Sequence, residues 1–128
     1  MASQEIRSYR DLRVWQEAMS LAESCYRLTR DFPREEVFGL TTQIRRSAAS
    51  IAANVAEGHG RESTQSFIQF LRIAQGSLKE LETHLLLAER VEIVASETTK
   101  ELHESCAGLG KMLRSLTRML QQKGVAGK

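Results

Sequence analysis

Residues 54–63 read NVAEGHGRES. In ten positions they gather a carboxylate (Glu57), an imidazole (His59), a guanidinium (Arg61) and a hydroxyl (Ser63), with Gly58 and Gly60 between them. Two chemistries would use such a set: a phosphate-cradling loop, or a histidine base activating a serine. A phosphate loop needs GxxxxGK[ST] after a strand, and neither the motif nor a strand pattern precedes this segment. A His–Ser pair needs a third group to orient the imidazole, and the sequence offers none. The preferred reading is a tight turn between two helices. Gly58 and Gly60 stand where a helix stops and the left-handed region is freely entered. Ser63 then caps the next helix. A turn that touches a ligand is the weaker alternative.

Metal and thiol chemistry fare no better. Cys25 and Cys106 have no CxxC or Cys/His spacing, so they read as small core residues in a reducing compartment. His59, His84 and His103 fall on different elements. The closest approach to the Glu-x-x-His pattern of di-iron bundles is Glu80 and Glu82 with His84, at the wrong spacing and on one helix only. No cofactor, metal or small-molecule substrate is expected, and no enzyme.

The elements that would position these residues are helical. Leu12, Trp15, Met19, Ala22, Tyr26 and Thr29 step by three and four, as do Leu40, Ile44, Ala48, Ile51 and Val55. So do Phe67, Leu71, Ala74, Leu78, Leu81, Leu85 and Ala88, and then Leu102, Cys106, Leu109, Leu113, Leu116 and Leu120. Such rows hold side chains on one helix face, and no period-two segment competes. Ser8 with Asp11 resembles a capping box for the first helix, Pro33 suits the start of the second, and Thr98 with Glu101 suits the fourth, where Ser96 competes. The spacing predicts helices over 9–31, 35–57, 63–91 and 97–122, each about 35 to 40 Å long at 1.5 Å per residue. Short connections between helices of equal length give an up-down-up-down antiparallel four-helix bundle. The chain, 1–128, reads as one all-α domain with a patternless tail, GVAGK, expected to fray. Val14, Val37, Ile68, Leu86, Met112 and Met119 lie off the four rows, leaving apolar surface for an oligomer to cover.

Bulk composition narrows the function classes. Of 128 residues, 41% are hydrophobic and 27% charged, and the net charge is +2. A charge this small favours nucleic acid only where basic residues cluster. Candidates for contact with RNA or a partner are Arg45, Arg46 and Arg61, and Lys111, Arg114 and Arg118 on one face of the last helix. A polar seam of Gln43, Ser50, Asn54 and Glu57 runs beside the apolar row of helix two, with Glu80 in a like position on helix three. It reads as a solvated face, as a network between helices or subunits, or, least favoured, as a ligand site. No apolar run has the length of a signal peptide core or a membrane span, so a cytoplasmic protein is expected.

The strings QIRR…NVAEGHGR and AQGSLKELE, within YRDLRVWQEA…FPREEVFGLTTQIRRSAASIAANVAEGHGRES…FLRIAQGSLKELETHL, resemble the four-helix-bundle proteins related to the 23S rRNA intervening-sequence proteins. The resemblance covers residues 9 to 90, with a weaker helical match beyond. It implies an up-down bundle assembled as a homopentamer with a central channel, without established enzyme chemistry. Ala52 stands where the family often has proline, which should relax a kink and leave the fold unchanged. A more distant resemblance is to the accessory proteins of diversity-generating retroelements, basic pentamers that bind nucleic acid and a reverse transcriptase; this chain is less basic. The expected function is a pentameric scaffold binding RNA or an RNA-processing partner. The alternative is a protein-interaction scaffold with no nucleic-acid role.

Overall fold

The computed structural model describes residues 5–126, with side chains described to Lys123. A one-turn 3-10 helix (Tyr9–Asp11) precedes α1 (Arg13–Thr29); a second (Arg34–Glu36) precedes α2 (Leu40–His59). Then come α3 (Thr64–Arg90) and α4 (Ser96–Ala126). Consecutive helices pack on one another, α4 closes on α1, and among the described residues no backbone contact joins the diagonals. This is the up-down-up-down bundle. The core is a single cluster in which Ile44, Ile51, Leu71, Leu81, Leu85 and Leu113 are wholly enclosed. Cys25 and Cys106 lie in it as free thiols, pushed up to about 12 by burial and therefore uncharged at neutral pH.

Helix starts depart from expectation in instructive ways. Ser8 and Asp11 do form a capping box, but it closes the 3-10 turn: Ser8 Oγ accepts from Arg10 N, and the Asp11 carboxylate accepts from the Arg7 and Ser8 amides. Leu12 is extended, so α1 begins only at Arg13. Pro33 opens no long helix; α2 starts at Leu40, not 35. Its first turn is capped from outside, with Glu36 Oε1 accepting from Leu40 N at 3.1 Å. Gly39 leaves room for that carboxylate, since a Cβ there would stand 2.8 Å from Glu36 Oε1. Thr98 is no N-cap but lies inside α4, which begins at Ser96. Ser63 caps α3 as expected, accepting from Ser66 N at 3.1 Å. At the other end α4 continues to Ala126, so the tail GVAGK does not begin where the helix ends; residues 127–128 lie outside the described part.

Helix α1 is turned relative to its expected row. Val14, Ala18, Leu21 and Cys25 face the core, whereas Met19 and Tyr26 are exposed. Val14, expected on the surface, is 5% exposed. Two apolar rows run side by side on this helix, and the core takes the one with small and aliphatic side chains. Trp15 is half-buried, edge-on to Tyr9 at 5.3 Å. Of the other off-row residues, Ile68 and Met112 are half-buried, while Val37, Leu86 and Met119 are exposed.

The glycine turn requires the main correction. No described glycine has positive φ. Gly58 lies inside α2, and Gly60, with φ −77° and ψ −7°, ends it in the right-handed region. The physical need for Gly58 is proximity: a Cβ there would lie 2.6 Å from Phe70 Cβ and 3.0 Å from Phe67 Cδ1. At the α3–α4 turn the left-handed position is taken by Glu92, with φ 64°. Ile93 N donates to Ala88 O and Glu92 N to Glu89 O, the paired bonds of a Schellman ending.

Two outcomes follow in thermal or urea unfolding. Gly58→Ala should cost about 1–3 kcal/mol by overpacking against Phe70, whereas Gly60→Ala, whose Cβ meets nothing nearer than 3.5 Å, should be neutral or slightly stabilising. Glu92→Gly should stabilise by about 1 kcal/mol by relieving left-handed strain; a loss instead would show that the Glu92 side chain supports the turn.

Candidate functional site

The polar groups of the 54–63 segment are engaged separately. His59 is half-buried and edge-on to Phe67 at 5.7 Å. The Ser63 hydroxyl is committed to its helix cap. Arg61 Nη2 donates to Glu57 Oε1 at 3.0 Å, and its guanidinium lies 4.9 Å from the Phe70 ring centre. No imidazole–hydroxyl pair forms. Among the described residues, no group of three or more His, Cys, Asp or Glu side chains is placed to hold a metal ion.

The polar seam contracts to a small bridge between α2 and α3. Ser50 Oγ and Ser77 Oγ are 2.8 Å apart, and Asn54 Nδ2 donates to Ser50 O at 2.8 Å and to Ser50 Oγ at 3.0 Å. Ser77 is buried, and Ser50 and Asn54 are half-buried. Gln43, Glu57 and Glu80 are exposed and take no part.

The basic candidates separate by role. Arg45 is half-buried and clamps α2 to the end of α1: Nε donates to Thr29 Oγ1 at 2.8 Å and Nη2 to Tyr26 O at 3.4 Å, with the guanidinium 4.5 Å from the Tyr26 ring centre. Arg46 is exposed on α2. Lys111, Arg114 and Arg118 are exposed along one row of α4 and form no ion pair among the described residues. Antiparallel packing brings the C-terminal half of α4 beside the N-terminal half of α3. Neither Ser63–Lys79 nor Ser105–Lys128 contains an acidic residue. The result is an acid-free flank with Arg72, Lys111, Arg114 and Arg118 on it, far from Glu97, Glu101 and Glu104 at the start of α4.

A second polar cluster was not legible beforehand. Glu89 Oε2 accepts from Thr99 Oγ1 at 2.9 Å and meets His103 Nε2 at 2.7 Å, joining the end of α3 to the start of α4. Burial pushes the Glu89 carboxyl up, but the bonds from His103 and Thr99 outweigh it and hold the group below its ordinary value of 4.5. The three residues are ten and fourteen positions apart, so no local spacing marks them. Between α1 and α2 lies an open groove of about 550 Å³, floored by Ala49, Ala52, Ala53 and Ala56 and walled by Trp15, Met19 and Tyr26. No helix among the described residues is long and apolar enough to cross a membrane.

The family model for the 23S rRNA-intervening sequence protein matches residues 10–115. The chain belongs to this family. One solved structure is similar over most of the chain: a protein of unknown function from the S23 ribosomal protein family of Bacteroides thetaiotaomicron VPI-5482. It shares 27% identity with a TM-score of 0.73, covering 81% of this chain and 97% of that one. No curated protein sequence matches the chain. The family match takes in the α2–α3 bridge, the glycine contact at Gly58, and Lys111 and Arg114; Arg118 lies beyond it.

The Glu89 cluster makes a pH prediction. A carboxyl depressed in the folded state contributes stability above its unfolded pKa, and loses it as pH falls through the folded value. Wild type should therefore lose this contribution on acidification below about pH 4.5, and Glu89→Gln should flatten the fall of melting temperature there. Identical acid profiles would show that the cluster adds nothing to folding.

Proposed function

We propose that the protein is a non-enzymatic, cytoplasmic scaffold, assembled as a homopentamer, that binds structured RNA through its phosphate backbone. The observation that carries the RNA reading is the acid-free flank of α3 and α4. Lys111, Arg114 and Arg118 stand there exposed, without the neighbouring carboxylates that occupy Arg27 and Arg61. A closed ring repeats the flank once per subunit, so a modest charge per chain is multiplied through avidity. The reading is one of shape and backbone, because among the described residues no exposed row of aromatic rings is available to stack bases. The Arg45 and Arg61 side chains act within the subunit and leave the contact to α4.

Assembly is supported by uncovered apolar surface. Phe38 is 93% exposed, and Leu86, Leu87 and Val91 are each about half exposed near the same end of the bundle. Surface of this kind commonly marks an interface. It also favours the second reading, an interaction scaffold for protein partners alone.

Light scattering at micromolar concentration should give the mass of five chains; a monomer mass would end the ring proposal. In filter binding, structured RNA should be retained at low salt and released steeply as salt rises, as counterion release requires. Arg114→Glu with Arg118→Glu should abolish retention with the oligomer intact. Absence of salt-dependent retention by wild type in dilute buffer would transfer the function to protein partners.

A further inference from the structure

A cleft of about 390 Å³ opens between α3 and α4, at the border of the acid-free flank. Its lining carries Lys79, Lys111 and Arg114 and one carboxylate, Glu82. Lys79 Nζ is 3.0 Å from Glu82 Oε1, so that pair is internally neutral and Lys111 and Arg114 give the cleft its net positive charge. The Gln75 side chain also lines it, and its Nε2 is buried with no hydrogen-bond partner. An unpaired buried amide donor is costly, and such groups ordinarily have an acceptor in the functional state. Gly110 is buried in the lining, and a Cβ there would sit 3.4 Å from Arg114 Nη1 and from Leu78 Cδ2. The missing side chain leaves space over which the guanidinium folds toward the cleft.

We propose that this cleft is a phosphate-oxygen site, in which Gln75 Nε2 is the buried donor and Lys111 and Arg114 are the flanking cations. A tetrahedral oxyanion supplies what the lining lacks: several acceptors, negative charge, and a shape that a guanidinium fork can grip. A cation is disfavoured by the surplus positive charge and by the donor at Gln75. The proposal deepens the RNA reading and rests on it for the natural ligand, a backbone phosphodiester; free phosphate presents the same oxygens.

The test uses the full-length deuterated, ¹⁵N-labelled protein. The Gln75 side-chain amide is identified by its loss in Gln75→Leu. Inorganic phosphate, titrated against chloride at constant ionic strength, should shift that amide and the Gly110 and Lys111 backbone amides saturably. A structured RNA hairpin should shift the same signals at far lower concentration. Gln75→Leu should weaken hairpin retention about tenfold, as loss of a hydrogen bond to a charged group does. Its melting temperature should hold or rise, because an unpaired buried donor has been removed; a fall in melting temperature with unchanged RNA affinity would make Gln75 merely structural and overturn the site. Hairpin binding at wild-type affinity by Gln75→Leu, with the Gln75 amide unmoved, would overturn the cleft while leaving the RNA reading intact. A phosphate response without any RNA binding would support the cleft as a site for free phosphate and remove the RNA reading. If neither titrant moves the Gln75 amide, the site is refuted.

Discussion

The close approach of α2 and α3 is the constraint on which the bundle depends. At the turn end it is set by Gly58, where even one methyl group would collide with Phe70. Midway it is set by the Ser50–Ser77 contact, which two larger side chains would hold apart. Ala48, Ile51, Ala52 and Val55 on one helix and Leu71, Ala74 and Leu78 on the other are then buried together in one core cluster. Once this pair is fixed, α1 and α4 have only its two flanks to occupy. Arg45 pins α1 through Thr29, and Glu89 pins α4 through Thr99 and His103. Each clamp joins elements at the end of the bundle opposite Gly58.

This arrangement consumes most of the residues with chemical potential. The histidine, serine and glutamate of the α2–α3 turn are spent on packing, capping and an ion pair. The thiols are buried and protonated. What remains available is surface, and it is unevenly distributed. One flank, built from halves of α3 and α4, has cations and no carboxylates, and the cleft with the unpaired Gln75 amide lies at its border, beside the Lys79–Glu82 pair. Another face, between α1 and α2, is an apolar groove with an alanine floor.

The number and order of helices and most of the core were readable from spacing, because a row of apolar side chains every three or four residues has one good solution in water. The helix-three and helix-four rows went to the core almost as written, as Leu71, Leu81, Leu85 and Leu113 show. The cap at Ser63 was equally local, since a hydroxyl bonds an amide three residues on. The first row was not decided by spacing. Two apolar stripes compete on α1, and only the shape of the space left by α2 and α4 selects Val14 and Leu21 over Met19 and Tyr26.

The chain by itself therefore determined the four helices, their antiparallel order and the family, all of which rest on short-range periodicity or contiguous motif. The tertiary structure alone decided what the conspicuous residues are for. Gly58 looked like a turn residue because glycine tolerates left-handed backbone; it is needed because a second helix passes too near for a side chain. Arg45 and Arg46 are adjacent in sequence, yet one is a half-buried clamp and the other is exposed, since consecutive helical positions are turned by about 100°. Gln75 carried no signal, because a donor becomes unpaired only when another helix covers it. Side-chain roles of this kind depend on neighbours distant in sequence, and no local pattern encodes the distance between two helices.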